Sequence, residues 1–260
     1  MTTIKNVLRA TLVLAGMGLL AANVAAEPTN ITVRVLAKDA KFIGTGMGGA
    51  MVEIRNADTG EVLASGLTRG GTGDTGLIMN TPHSRWQSIG VEGAASFSAV
   101  LDISDPVRVQ ISAEGPVSAP ESANRVSLTQ WVLPGKHLDA GDGIVLTMPG
   151  FVLETLAPLA DTEFPVGRKV NVKVKMVMMC GCPIMPGGLW DADYIEVSAR
   201  LSLDGQVLGD WPMAFTGEIS EFQADIPADS AGQYEVVVTA YDSHSGNTGL
   251  QRISYRVGSD

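Results

Sequence analysis

A period of two runs through most of this chain and restricts it to sheet. Ile31, Val33 and Val35 alternate with Thr32 and Arg34, Val52 and Ile54 with Glu53 and Arg55, and Val107, Val109 and Ile111 with Arg108 and Gln110. Val170, Val172, Val174, Met176 and Met178 make a longer run of the same kind, as do Ile195, Val197, Ala199, Leu201 and Leu203. Successive side chains of a strand point to opposite faces, so each run is a strand with one apolar face to bury. Turn-forming segments such as Asp58-Thr59-Gly60, Asp139-Ala140-Gly141-Asp142-Gly143 and Asp204-Gly205 separate the runs. Ile144-Val145-Leu146, Tyr234 to Tyr241 and Gln251 to Val257 read as further strands. Helix periodicity is nearly absent after the first 26 residues, so the expected fold class is all-β, with two β-sandwich domains.

Those first 26 residues have a different character. Lys5 and Arg9 make a basic start, Ala10 to Leu20 an apolar run too short to span a bilayer, and Val24 and Ala26 stand at the −3 and −1 positions of a cut before Glu27. This reads as a cleaved signal peptide over residues 1–26. No cysteine lies near the cut to carry a lipid, and no later apolar stretch is long enough for a membrane helix. The mature protein is therefore expected to be periplasmic or secreted, with no membrane anchor. Removing the signal leaves 16 basic residues against 28 acidic ones, a formal charge of −12. Without a basic cluster, such a chain is a poor partner for nucleic acid or an anionic surface, and is compatible with cations.

The Pro-containing stretch from Ala157 to Gly167 interrupts the alternation. It predicts a linker at 157–167 between an N-terminal sandwich at 27–156 and a C-terminal one at 168–260. In the first, Gly49-Ala50-Met51-Val52-Glu53-Ile54-Arg55-Asn56, then Thr59-Gly60-Glu61, Thr68 and Gly76 resemble the opening of carboxypeptidase-regulatory-like, transthyretin-type domains. That resemblance covers about 30 residues. It implies a non-catalytic sandwich and brings no active-site residues with it, and the Arg69–Asp74 insertion departs from the pattern. In the second, Ala231-Gly232-Gln233-Tyr234-Glu235-Val236 is similar to the tyrosine corner of bacterial immunoglobulin-like domains. Val236 stands where an immunoglobulin domain would have its second core cysteine, so Cys180 and Cys182 are not half of an inter-sheet bridge.

These two cysteines are the only ones in the chain, and Met176, Met178, Met179 and Met185 surround them. A bond between residues two apart closes a very small loop and restricts the unfolded chain little, which makes it a weak staple. Pro183, Pro186 and Gly187-Gly188 argue against a continued strand, so the expectation is a strand emptying into a loop with both thiols at its mouth. Thiolate and thioether donors are soft and select Cu(I). The leading expectation is an exported, non-catalytic binding or accessory protein holding Cu(I) through Cys180 and Cys182, with Met178, Met185 and Met176 as thioether ligands. A structural or protein-interaction module without metal is the alternative, with Met176 and Met178 filling core. A thiol-redox accessory using Cys180 and Cys182 is the third. Acidic Asp191 and Asp193, with Lys175 on the opposite strand face, disfavour a reactive thiolate and favour a cation.

The loop Ile184-Met185-Pro186-Gly187-Gly188-Leu189-Trp190 is apolar and irregular, and it reads either as a docking surface for a protein partner or as a plug over the sandwich end. Gly44-Thr45-Gly46-Met47-Gly48-Gly49 has the spacing of a dinucleotide loop but precedes a strand, so it reads as an inter-strand connection. His83, His137 and His244 sit in separate polar turns, His244 being the one in the cysteine-bearing half. Asp74, Asp139 and Asp142 lack the spacing of a dedicated Ca²⁺ loop. No nucleophile elbow or metalloprotease helix motif is present.

Overall fold

A computed structural model of the protein describes residues 25–160 and 162–258. All but the last two residues of the expected signal peptide lie outside these. Seven strands form a first pair of sheets: β1 (Glu27–Ala37), β2 (Met51–Asn56), β3 (Val62–Leu67), β4 (Phe97–Ile103), β5 (Val107–Gly115), β6 (Asn124–Val132) and β7 (Ile144–Met148). Nine more form the second: β8 (Phe151–Ala157), β9 (Glu163–Pro165), β10 (Arg168–Met178), β11 (Ile195–Leu203), β12 (Gln206–Pro212), β13 (Ala214–Phe215), β14 (Glu221–Ala228), β15 (Gly232–Asp242) and β16 (Thr248–Gly258). The protein is all-β, as its alternation demands.

In the first pair, a sheet of order β4-β1-β7 faces one of order β3-β2-β5-β6. Ile31, Val33 and Val35 of β1 pack in the same core as Val52, Ile54, Val109 and Ile111. β1 pairs antiparallel with β4 but parallel with β7, which closes the sheet with a late strand.

The second pair has sheets of order β13-β14-β10-β8 and β12-β11-β15-β16-β9. With β8 as strand A, β10 as B, β11 as C and β15 and β16 as F and G, this is the A-B-E-D over C′-C-F-G arrangement of an immunoglobulin-like sandwich. The tyrosine corner is present: the Tyr234 hydroxyl donates to the Ser230 carbonyl at 2.9 Å, and the ring stacks on Tyr255 at 5.3 Å. Val236 is fully buried, so an aliphatic pair of sheets replaces the usual disulfide-centred core.

The hydrogen bonding assigns Phe151–Ala157, expected within the first half, to the second pair, where β8 runs antiparallel to β10. Buried residues of both pairs belong to one continuous apolar cluster.

Candidate functional site

The cysteine segment begins where β10 ends. Val170, Val172, Val174, Met176 and Met178 all face inward, as their spacing predicts. After Met178 the chain reverses: Gly181 N–H donates to the Met178 carbonyl at 2.7 Å, and Met178 N–H to the Cys182 carbonyl at 3.1 Å. Gly181 takes φ +79°, and a Cβ there would lie 2.7 Å from the Met47 sulfur. The left-handed backbone favours glycine between the cysteines, and the Met47 thioether packs where a Cβ would stand.

The structure corrects the expectation of two thiols at an open mouth. Cys180 and Cys182 are bonded to each other, and they are only 4% and 5% exposed. As bonded sulfurs they are not thiolate ligands. Met176 and Met178 belong to the apolar core, and Met185 is half-buried in the loop that follows. Among the described residues, no three His, Cys, Asp or Glu side chains are grouped as a metal site. Met179, fully buried, and Met47, from the first sandwich, also surround the turn. Met47 lies 133 residues away in sequence from Cys180, so only the fold brings it there.

The loop beyond is stitched down by backbone bonds. Ser220, buried and at φ +67°, accepts from Met176 N–H, donates its own N–H to Ile184, and accepts from Ile184 N–H through its hydroxyl at 3.0 Å. The Asp191 carboxylate accepts from the N–H groups of Gly187 and Asp193, which closes the turn around Leu189. Asp191 is thus a loop anchor rather than a charge presented to the cysteines. Ile184 is fully buried, and the Trp190 indole N–H donates to the Asp39 carbonyl at 2.8 Å. Of the apolar groups expected to meet a partner, Leu189 remains half exposed while Ile184 and Trp190 face the molecule's own interior.

Trp190 is one element of a joint between the two sandwiches. Asn247, fully buried, donates to the Lys38 carbonyl at 3.0 Å and accepts from Gly150 N–H at 2.8 Å. Lys38 N–H in turn donates to Met148 at 2.8 Å. Beside this joint, burial and the neighbouring Asp242 push the Asp39 carboxyl up, against the pull of His244 and Lys38. Burial acts on Asp242 in the same sense, but hydrogen bonds from Ser245 and from the His244 and Ser245 amides outweigh it and hold that carboxyl below its ordinary value.

The remaining motifs have structural roles. Thr45 N–H donates to Gly70 and Gly70 N–H to the Thr45 hydroxyl, and a Cβ on Gly49 would overlap the Thr68 carbonyl oxygen. Gly44, Gly48, Gly49 and Gly70 thus let backbones pass at close range, and a strand follows the first loop, not a helix. Asp142 accepts from the Ser88 hydroxyl and from Ile89 and Gly90 N–H, which fastens the 76–93 excursion, while Asp74 accepts from Leu77 N–H. His83 bonds Leu77, His137 accepts from Asn30 N–H, and His244 packs edge-on to Tyr194 at 4.8 Å. No described helix is long and apolar enough to cross a membrane.

No protein-family model matches the sequence, and no curated protein is similar to it. Solved structures overlap it only loosely. An engineered protein of known crystal structure is 17% identical over 50% of this chain, with a TM-score of 0.30; the match spans 24% of that protein's length. The fibronectin(III)-like modules of Clostridium thermocellum CbhA are 10% identical, cover 92% of this chain and 93% of their own, and have a TM-score of 0.28. The titin domains z1z2, solved in complex with telethonin, are 12% identical over 91% of this chain and 98% of theirs, at 0.24. The fold assignment stands on the strand pairing itself.

Proposed function

We propose that this is an exported, non-catalytic structural or protein-interaction module of two β-sandwiches. Its Cys/Met segment serves as the joint that fixes their relative orientation. The observation that carries this reading is the burial of the bonded Cys180–Cys182 turn, with Trp190 lodged on the Lys38–Asp39 turn of the first sandwich. Adjacent domains move relative to one another unless an apolar interface holds them. Here one apolar cluster runs through both. The periplasm or the extracellular space, where a disulfide persists, is the fitting location.

A second reading keeps the soft-metal site for the reduced protein. Met47 favours it, because its sulfur packs against Gly181 between the two cysteines. Once a thiol reductant opens the bond, Cys180 and Cys182 thiolates with Met47, and with Met178, Met185 or Met176 after rearrangement, would offer Cu(I) a soft donor set.

Anaerobic Cu(I) titration against a competing chelator, before and after reduction, separates the two. The module reading expects no tight equivalent in either state. One tight equivalent in the reduced protein, lost in Cys180→Ser, would overturn it in favour of copper.

A further inference from the structure

β16 carries an open edge. Asp242 N–H bonds the Asn247 carbonyl at the hairpin end, and Ala240, Val238 and Val236 then stand opposite Gly249, Gln251 and Ile253. In an antiparallel ladder, hydrogen-bonded and non-hydrogen-bonded pairs alternate, so the even residues of β16 direct their N–H and C=O away from β15. Arg256, on that outer side, donates to Thr162, and β9 covers residues 256–258. Leu250, Arg252 and Ser254 come before this cover. Their outward groups have no strand partner among the described residues.

The facing strand is treated differently. On β8, the outward N–H and C=O of Leu153 are both taken by the Ser122 hydroxyl, at 3.1 and 3.3 Å. Natural sheets blunt their edges in such ways, because an open edge is a template for another strand. Here one edge is blunted and its neighbour is not. The open edge also borders a cavity: Arg252 and Ser254 line a cleft of about 850 Å³, and Leu250 lines an adjoining one of about 460 Å³. Met47, Val152 and Val177 give the larger cleft an apolar floor.

Resting on the interaction-module reading, we propose that this cleft binds an extended segment of a partner polypeptide, which adds as a strand to β16 over Leu250–Ser254. Backbone groups would supply the affinity, and the floor would select alternate apolar side chains. At about 3.3 Å per residue, the open edge accommodates roughly five residues. The occupant is a single extended segment rather than the sheet of a second folded copy. The cleft is lined by the 118–122 turn of the first sandwich and by Pro158 and Ala160 of the crossover, and its volume of about 850 Å³ is on the scale of a short peptide segment rather than of a folded sheet.

The test is selection from a phage-displayed library of random nonapeptides on the full chain, with binding then measured on two variants. Arg252→Pro removes an outward N–H and no bond to β15, whereas Arg252→Ala keeps the backbone donor. Selected peptides are expected to lose at least tenfold in affinity on Arg252→Pro and less than twofold on Arg252→Ala. They should also slow amide exchange at Leu250, Arg252 and Ser254. Ser254→Pro serves the same purpose if Arg252→Pro does not fold. Failure to select any peptide, or peptides indifferent to both proline variants, would overturn the proposal. Such a failure touches only this cleft, whereas a tight Cu(I) equivalent would remove the module reading itself.

Discussion

Opening the Cys180–Cys182 bond in solution should cost little. The closed loop holds three residues, so the chain-entropy relation gives about 1.6 kcal/mol, roughly half the value for a 15-residue loop. Reduction leaves both sulfurs in place, so no cavity adds to this, and a buried thiol behaves as a small apolar group. For a chain of this size, about 1.6 kcal/mol corresponds to a fall in melting temperature of about 3–6 °C. By contrast, Trp190→Ala empties a buried site between the sandwiches and removes the bond to Asp39, and large-to-small changes of this kind cost about 3–5 kcal/mol. The assay is thermal unfolding followed by near-ultraviolet circular dichroism, with and without a phosphine reductant, on wild type and Trp190→Ala. A reduction effect as large as the tryptophan effect would refute the reasoning, because the bond and not the packing would then hold the joint.

Other consequences follow from single groups. Tyr234→Phe deletes the corner hydrogen bond and should cost about 1–2 kcal/mol in urea unfolding, whereas Tyr255→Phe should be neutral or stabilising, since its buried hydroxyl has no partner among the described residues. Burial alone would raise the Asp142 carboxyl, but hydrogen bonds from Ser88, Ile89 and Gly90 and the charge of Arg34 hold it below its ordinary value. Its stabilisation is therefore present above the unfolded-state value of about 3.9 and fades as pH falls through the lower folded-state value. Asp142→Asn should accordingly melt lower than wild type at pH 7, with the gap closing below about pH 4; an unchanged gap at pH 2 would contradict this. Gly49→Ala should destabilise the first sandwich by at least about 1–2 kcal/mol, since φ is +76° and a Cβ would meet the Thr68 carbonyl, while Gly46→Ala, with open space around it, should be silent.

The alternation of branched side chains made β1, β2, β5, β10 and β11 legible, and Tyr234 marked its corner. β14 was not legible, because its inward face is Phe222, Ala224, Ile226 and Ala228 and it contains Pro227. Alanine gives little hydropathy contrast, and a proline within a run argues against a strand. Nor could local spacing show the parallel pairing of β1 with β7 or the transfer of β8 to the second sandwich, since both are choices among distant partners. The cysteine segment was found by composition, but its meaning turned on tertiary facts. Soft donors two apart suggest a metal when they are imagined exposed. The same atoms lie buried beside Met47, whose position the sequence does not reveal, and on the proposed reading they belong to a joint. Ile184 and Trp190 show the same ambiguity, because an apolar loop looks alike whether it meets a partner or its own neighbouring domain.

Calorimetric unfolding of the full chain tests the joint most directly. If the Trp190 and Asn247 contacts hold the two sandwiches as one unit, wild type should unfold in a single cooperative transition that splits into two in Trp190→Ala. Two separate transitions already present in wild type, and unmoved by Trp190→Ala, would contradict it.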